Sequence, residues 1–156
     1  MKTKGILTLI ILAFVFFACE KASESSPSLP NEPIIENIVG KWFLKAYTVF
    51  NDASHQKPIP QNGEQSLTFG IVKNDTCTIS LNYVNVLQTS CVFGTGNEMS
   101  ILDEWGGTEI FDTSGNEEEL LNALNNVEKG ILRNDTLFLL LNSHVAQDYN
   151  AICLKK

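Results

Sequence analysis

The sequence predicts a mainly β fold of the α+β class, an antiparallel sheet with a single packed α-helix near residues 117–127. Apolar side chains recur at every second position through most of the chain, and the period changes to 3.6 in one segment only. Residues 34–156 supply enough chain for one domain with one core. Residues 1–33 differ in composition and do not belong to that domain.

The first strands are expected to bury one face each. In the first strand the inward residues are Trp42, Leu44 and Ala46, and the outward residues include Phe43 and Tyr47. The same alternation occurs in residues 66–71 and 76–82, as in antiparallel strands with one solvated face. Asn74 and Asp75 lie between these two segments. Both residue types tolerate left-handed backbone, so they predict a hairpin tip.

The second half of the chain contains further predicted strands, near residues 88–93, 98–102, 130–132, 136–141 and 151–155. Asn134 and Asp135 predict a second hairpin tip, by the same chemistry. The run at 136–141, TLFLLL, is apolar on both faces. It should therefore lie centrally, under the helix or inside a closed barrel.

The helix is predicted from its capping residues and its apolar face. Asn116 can cap it with Glu119 three residues on, and Glu117 and Glu118 place negative charge at the positive end of the helix dipole. The apolar face consists of Leu120, Leu121, Leu124 and Val127. Adjacent helix positions point in different directions, so the three glutamates are not expected to bind a metal.

Residues 1–18 predict a lipoprotein signal peptide. Lys2 and Lys4 precede an apolar run, and Cys19 follows it directly. As a helix, residues 5–18 would rise about 21 Å, too short for a hydrocarbon core of roughly 30 Å. Phe16 occupies a position where ordinary signal cleavage requires a small residue. The sequence therefore predicts acylation of Cys19.

Residues 19–33, rich in Ser and Pro, predict a flexible tether. Removal of residues 1–18 takes away two lysines and no acid, leaving nine basic and 18 acidic residues, a formal charge of −9. Such a surface repels nucleic acid and anionic lipid. Attachment to the membrane is therefore expected through N-terminal acyl chains. Glu20 favours the outer membrane, on its periplasmic or its cell-surface face.

Several short motifs occur in a characteristic order, namely Gly40-Lys41-Trp42-x-Leu44, Ser66-Leu67-Thr68-Phe69, Gly106-Gly107-Thr108, Ala123-Leu124-x-x-Val127 and Asp135-Thr136-Leu137. From about residue 38 to the C-terminus the chain resembles the META-domain family of small bacterial envelope lipoproteins, related to a heat-shock-induced protein. The resemblance implies a cracked antiparallel β-barrel with a helix packed on it, over residues 34–156. It implies no catalytic residues. The Gly-x-Trp start is also similar to that of lipocalins, whose barrels hold small apolar ligands.

The reactive side chains do not predict an enzyme, a metal site or a cofactor. The two histidines, His55 and His144, lie in separate polar segments, so neither a zinc site nor a nucleophile with its base can be traced. Cys77 and Cys91 are candidates for a disulfide between neighbouring strands, which would leave Cys153 as a buried thiol. Other pairings stay open, because sequence does not fix connectivity.

Two loops could carry a binding function, at residues 51–65 and 103–115. The first contains an extended Pro-Ile-Pro segment with an exposed aliphatic side chain, and the second contains two aromatic residues among acids and glycines. Alternatively, the isoleucine packs inward and the tryptophan closes one end of the barrel. The candidate partner-binding residues are Pro58, Ile59, Pro60, Trp105 and Phe111.

The sequence thus supports hypotheses from three classes. The leading hypothesis is a non-catalytic lipoprotein module of the cell envelope that binds a protein partner. In its sharpest form, the Pro-Ile-Pro segment, or the neighbouring loop, enters the cleft of a secreted protease and inhibits it, because prolines resist cleavage and hold the segment extended. The alternative is a carrier of a small apolar ligand or lipid inside the barrel. An enzyme is the third class, and no residue pattern favours it.

Overall fold

A ten-stranded antiparallel sheet forms the framework of the domain. The computed structural model describes residues 37–60, 63–102, 104–108, 114–142 and 148–156, apart from the side chain of Ala53. The predicted signal peptide, Cys19 and the tether lie outside the described residues. The elements are β1 Gly40–Val49, β2 Asp52–Pro58, β3 Ser66–Phe69, β4 Thr76–Asn82, β5 Val86–Phe93, β6 Met99–Ile101, β7 Gly106–Gly107, α1 Asn116–Leu124, β8 Val127–Arg133, β9 Thr136–Leu141 and β10 Ala151–Lys155.

The sheet curls into a nearly closed barrel with one seam. The strand order is β6-β5-β4-β3-β1-β10-β9-β8, with β2 added to β1 and β7 added to β5. Among the residues that the structure describes, one isolated bridge, between Glu98 and Lys129, joins the two edges across the seam. The prediction of a mainly β fold with a cracked antiparallel barrel and one packed helix is therefore confirmed.

The inward faces of the strands fill the barrel with one hydrophobic cluster. The largest side chains in it with less than 2% exposure are Trp42, Phe69, Ile38, Leu44, Ile59, Leu67, Ile79, Leu81, Met99, Leu120 and Leu124. Burying one large aliphatic or aromatic side chain contributes roughly 1.5–3 kcal/mol, so this cluster dominates the stability of the fold. The indole N–H of Trp42 donates to the carbonyl of Ile38 at 2.6 Å, so its one polar group is satisfied.

The alternation predicted for β1 is correct for Trp42, Leu44 and Ala46, which are buried, and wrong for Tyr47. The pairing of β1 with β10 shifts register between Leu44 and Ala46, as in a β-bulge. One extra residue reverses which side chains face inward. Tyr47, expected on the outer face, is consequently buried.

The two predicted hairpin tips are present. Asn74, Asp75 and Asn134 have positive φ angles of 51°, 60° and 55°, in the left-handed region that Asn and Asp tolerate. In contrast, β2 forms within the segment that the sequence analysis assigned to a loop. Its residues show no apolar alternation, and the strand exists because its backbone pairs with β1.

Helix α1 differs from the prediction at both ends. The N-cap is Gly115, with φ of 71°, and its neighbour Asn116 is already helical, so the predicted Asn116 capping box is absent. The helix ends at Leu124, and Val127 begins β8 opposite Leu141 instead of extending the apolar face of the helix. The backbone pairing of this residue with β9 therefore determines its secondary structure, although its spacing fits the helical period.

Candidate functional site

The described surface carries a pocket of about 440 Å³ where α1 meets β1 and β2 at one end of the barrel. Its floor includes Ala123 and Leu141, both buried. We call it the mouth pocket, and its charged and aromatic lining residues are Tyr47, which is also buried, and Lys57, Glu118, Glu119, Asp148 and Tyr149. Both its volume and its place at the mouth of a barrel are common for ligand sites.

The register of β1 and β2 brings the first two of these lining residues together. Tyr47 and Lys57 are directly opposite each other in this antiparallel pair, so their side chains lie on the same face of the sheet. The Lys57 ammonium is 5.5 Å from the centre of the Tyr47 ring and 2.6 Å from Glu119 Oε1. The contact with Glu119 links β2 to the first turn of α1.

The mouth pocket carries excess negative charge. Glu118, Glu119 and Asp148 contribute three carboxylates, and Lys57 contributes one ammonium, so the formal charge of the lining is −2. Within the described residues, neither Glu118 nor Asp148 makes a salt bridge. A concave site with one sign of charge concentrates ligands of the opposite sign.

Aromatic rings form a second feature of this surface. The Tyr149 ring centre is 6.3 Å from that of Tyr47 and 6.3 Å from that of His55 on β2. Burial, followed by the nearby Glu119 carboxylate, raises the pKa of Tyr47 well above its usual value. Tyr47 is therefore a neutral phenol at physiological pH, and its ring presents a π face to cations.

A buried polar contact holds α1 in place. Glu117 is 5% exposed and accepts a hydrogen bond from the backbone N–H of Asn85 at 2.8 Å and another from the Asn85 side-chain amide. The side-chain amide oxygen Oδ1 of Asn85 in turn accepts a hydrogen bond from the Thr108 hydroxyl at 3.4 Å. This carboxylate ties the start of α1 to the β4–β5 hairpin, so the following two glutamates have a fixed position.

The structure separates the members of the predicted Pro-Ile-Pro site. Ile59 is only 2% exposed, and its N–H donates to the carbonyl of Lys45 at 3.1 Å, which continues the pairing of β2 with β1. The expected exposure of this side chain is wrong, and the inward-packing interpretation is correct. Pro58 and Pro60 are exposed, and the carbonyl of Pro60 accepts a hydrogen bond from the Tyr83 hydroxyl at 3.3 Å.

The predicted aromatic loop is only partly described. Trp105 is half-buried and packs against the core, and its indole N–H donates to Asn125 Oδ1 at 2.8 Å, just beyond α1. These contacts fit the interpretation that Trp105 closes this end of the barrel, and its assignment to a partner-binding surface stays a prediction. Phe111 lies outside the described residues, so its assignment to a partner-binding surface stays a prediction.

The predicted cysteine partners are neighbours. Cys77 and Cys91 are directly opposite on β4 and β5, and their sulfur atoms are 3.0 Å apart as free cysteines. The disulfide between them stays a prediction for an oxidising compartment. Burial raises the pKa of the Cys153 thiol, despite the opposing influence of Lys155 and Lys45. A raised pKa disfavours the reactive thiolate.

A second pocket, of about 610 Å³, lies at the seam and is lined mainly by polar groups, among them Glu98, Glu128 and Lys129. Within the described residues, no group of three or more His, Cys, Asp or Glu side chains could hold a metal ion. No helix in the same part of the chain has the length and apolar character to cross a bilayer.

The sequence alone did not predict that the residues of the mouth pocket form one site. It assigned Glu118 and Glu119 to the helix dipole and did not single out Lys57 or Tyr149. Lys57 and Glu119 are 62 positions apart, and only the folded chain brings them into contact. The one available signal was the acidic first turn of the helix, and that signal is typical of any stable helix.

Comparisons with known proteins show the fold and nothing beyond it. No family model matches the chain, and no curated protein matches it. The NMR structure of the protein from Burkholderia xenovorans is similar, with a TM-score of 0.55 and 16% sequence identity over 78% of this chain and 85% of that chain. A crystal structure of a DUF4847 family protein from Bacteroides vulgatus ATCC 8482 has a TM-score of 0.49 and 15% identity over 76% of this chain and 92% of that chain.

Proposed function

We propose that the protein is a non-catalytic lipoprotein of the bacterial cell envelope that binds a protein partner through the mouth pocket and the adjoining edge of β2. The observation that carries the proposal is the pocket itself. It combines an apolar floor, two tyrosine rings and a net charge of −2 in one concave surface. Concave apolar sites with a few convergent polar groups are the usual form of binding sites.

The edge of β2 supports a protein as the partner. Within the described residues, β2 pairs with β1 alone, so the backbone groups on its other side take part in no strand pairing. The side chains on this strand are exposed wherever the structure describes them. An extended peptide can add to such an edge through main-chain hydrogen bonds, which is a common mode of recognition.

The proposed location follows from the amino-acid sequence. Acylation at Cys19 would anchor the chain to the outer membrane, and a tether over residues 19–33 would hold the domain away from the lipid. The acidic surface adds no attraction to anionic head groups. The acyl chains would then be the sole membrane contact, and the barrel would be available to a partner.

The more specific hypotheses receive less support. A protease inhibitor needs a side chain that enters the enzyme's specificity pocket, and Ile59 is instead packed in the core. An apolar-ligand carrier needs space inside the barrel. The described barrel interior is filled by side chains, and the two pockets described above open on the surface. We therefore propose neither inhibition nor transport.

Partner capture with matched charge reversals tests the proposal. The full chain, with a C-terminal affinity tag, is expressed in the bacterium that makes it, cross-linked in living cells and purified from membranes. Glu118→Lys reverses a charge at the mouth pocket, and Glu64→Lys reverses one in the Lys41–Glu64 pair outside it. We expect a protein that is captured by the unmodified chain and by Glu64→Lys, and lost with Glu118→Lys. Capture that is equal in all three would contradict the proposal.

A further inference from the structure

We infer that the mouth pocket binds a lysine or arginine side chain presented by an extended segment of the protein partner. The inference rests on the proposed function and specifies the chemistry of the partner. Its main support is that an ammonium group of the protein already lines the pocket and contacts its acidic and aromatic groups. That group belongs to Lys57, a residue of the protein's own edge strand.

The contacts of Lys57 are those that an incoming cation would make. Its ammonium lies 2.6 Å from Glu119 Oε1 and 5.5 Å from the centre of the Tyr47 ring. A cation within about 6 Å of an aromatic ring is attracted by the electron density on the ring face. The Lys57 side chain is 44% exposed, so it can leave these contacts for water without disturbing the core.

The pocket keeps enough net negative charge to attract a second cation. With Lys57 in place, Glu118 and Asp148 still leave a net charge of −2 on the lining. The floor, which includes Ala123 and Leu141, can cover the aliphatic stem of a long basic side chain while its charged end stays at the acidic rim. An arginine can also bind one carboxylate with two parallel hydrogen bonds.

The free edge of β2 would direct a basic side chain of an added partner segment toward the mouth pocket. A segment added to the free edge of β2 would have a residue directly opposite Lys57, on the same face of the sheet. Tyr47 is opposite Lys57 on the other side, also on that face. A basic residue of the partner would therefore enter the mouth pocket next to Lys57 and compete with it for Glu119.

Peptide binding to the full chain in a nonionic detergent tests the inference. The probes are a fluorescent Thr-Val-Lys-Val-Thr peptide, the same peptide with norleucine in place of lysine, and free spermidine as a competitor. The variants are Lys57→Met, Lys57→Met with Glu119→Gln, and Lys41→Met as the matched control. Lys41 is 42% exposed and pairs with Glu64 at 2.9 Å, and it lies over the Phe43 ring at 5.0 Å.

We expect the lysine peptide to bind Lys57→Met about tenfold more tightly than the unmodified chain, because the competing ammonium is gone. Lys41→Met should bind like the unmodified chain, and adding Glu119→Gln should abolish the gain. The norleucine peptide should bind about tenfold more weakly than the lysine peptide, since it lacks the charge. Binding of the lysine peptide should also weaken with added salt.

Equal binding of the two peptides, or no difference between Lys57→Met and Lys41→Met, would overturn the inference. If spermidine displaces the labelled lysine peptide at concentrations lower than those of the peptide itself, the pocket binds small amines, and the choice of a protein segment is overturned. Failure of the proposed function gives a different result. In that case no protein is captured in a charge-dependent manner, whereas the peptide would still distinguish Lys57→Met from Lys41→Met.

Discussion

Replacing Glu117 by alanine tests how α1 is held on the barrel. Glu117 is almost fully buried and accepts two hydrogen bonds from Asn85. A hydrogen bond to a charged group contributes about 1.5–3 kcal/mol. Because removing the carboxylate also relieves the cost of burying it, we take the lower value for each bond. Glu117→Ala should therefore lower the free energy of unfolding by about 3 kcal/mol.

The matched control is Glu118→Ala, one position along in the same helical turn and exposed. Both variants lose one negative charge near the helix N-terminus, an interaction of about 0.3–1 kcal/mol. The difference between them therefore isolates the contact with Asn85. Urea denaturation followed by circular dichroism measures both, and about 3 kcal/mol corresponds to roughly 10 °C in Tm for a domain of this size. If the two variants differ by less than about 1 kcal/mol, the buried contact does not hold the helix.

Three further predictions concern the barrel. Burial raises the pKa of Tyr47, so the contribution of its neutral phenol to stability is complete below the unfolded-state pKa near 10 and is lost as pH rises through the higher folded-state pKa. An absorbance titration at alkaline pH should therefore show one tyrosine that ionises later than the others, and Tyr47→Phe should remove that phase. Cys77 and Cys91 should form a disulfide in protein isolated from the envelope, and mass spectrometry should find their linked peptides lighter by two hydrogen atoms than the two free peptides. Reduction should lower the free energy of unfolding by up to about 3 kcal/mol. Alkylation of both thiols without prior reduction would contradict this. A Cβ at Gly107 would lie 2.1 Å from a backbone oxygen of β5, whereas one at Gly106 meets nothing within 4 Å. Gly107→Ala should therefore lower the free energy of unfolding by about 2 kcal/mol or more, with Gly106→Ala as the control. Equal thermal midpoints for these two variants would refute the close approach.

The sequence was informative wherever local chemistry decides the structure. Trp42 and Leu44 are buried as the alternation predicts, because the first half of β1 pairs with β3 without a register shift and precedes the bulge opposite β10. Asn74 and Asn134 form tips, because their side chains tolerate a left-handed backbone. The TLFLLL run of β9 lies between β10 and β8, and its alternate leucines are buried.

Long-range pairing accounts for what the sequence did not show. The bulge in β1 inverts the orientation of Tyr47, and a bulge has no signature in the alternation itself. Strand β2 is mostly polar and exists through its backbone bonds to β1. Ile59 was assigned to an exposed segment because its flanking prolines favour extended backbone, yet the same extended backbone directs its side chain into the core.

The candidate site depends on both of these features. Tyr47 reaches the mouth pocket because of the bulge, and Lys57 reaches it because β2 is a strand. Glu119 could be placed on a helix from the sequence, although its contact with Lys57 could not be foreseen. A site composed of residues from three separate elements is thus predictable only after the register of the sheet is known.

Site-specific photo-cross-linking in living cells tests the central claim most directly. A photoreactive amino acid replaces Asn122, an exposed residue that lines the mouth pocket, and in a second strain it replaces Thr78, an exposed residue of β4 outside the pocket. Binding of a partner at the mouth pocket predicts a discrete cross-linked product of higher mass from position 122 and none from position 78. Absence of a product at position 122, or the same product at both positions, would contradict it.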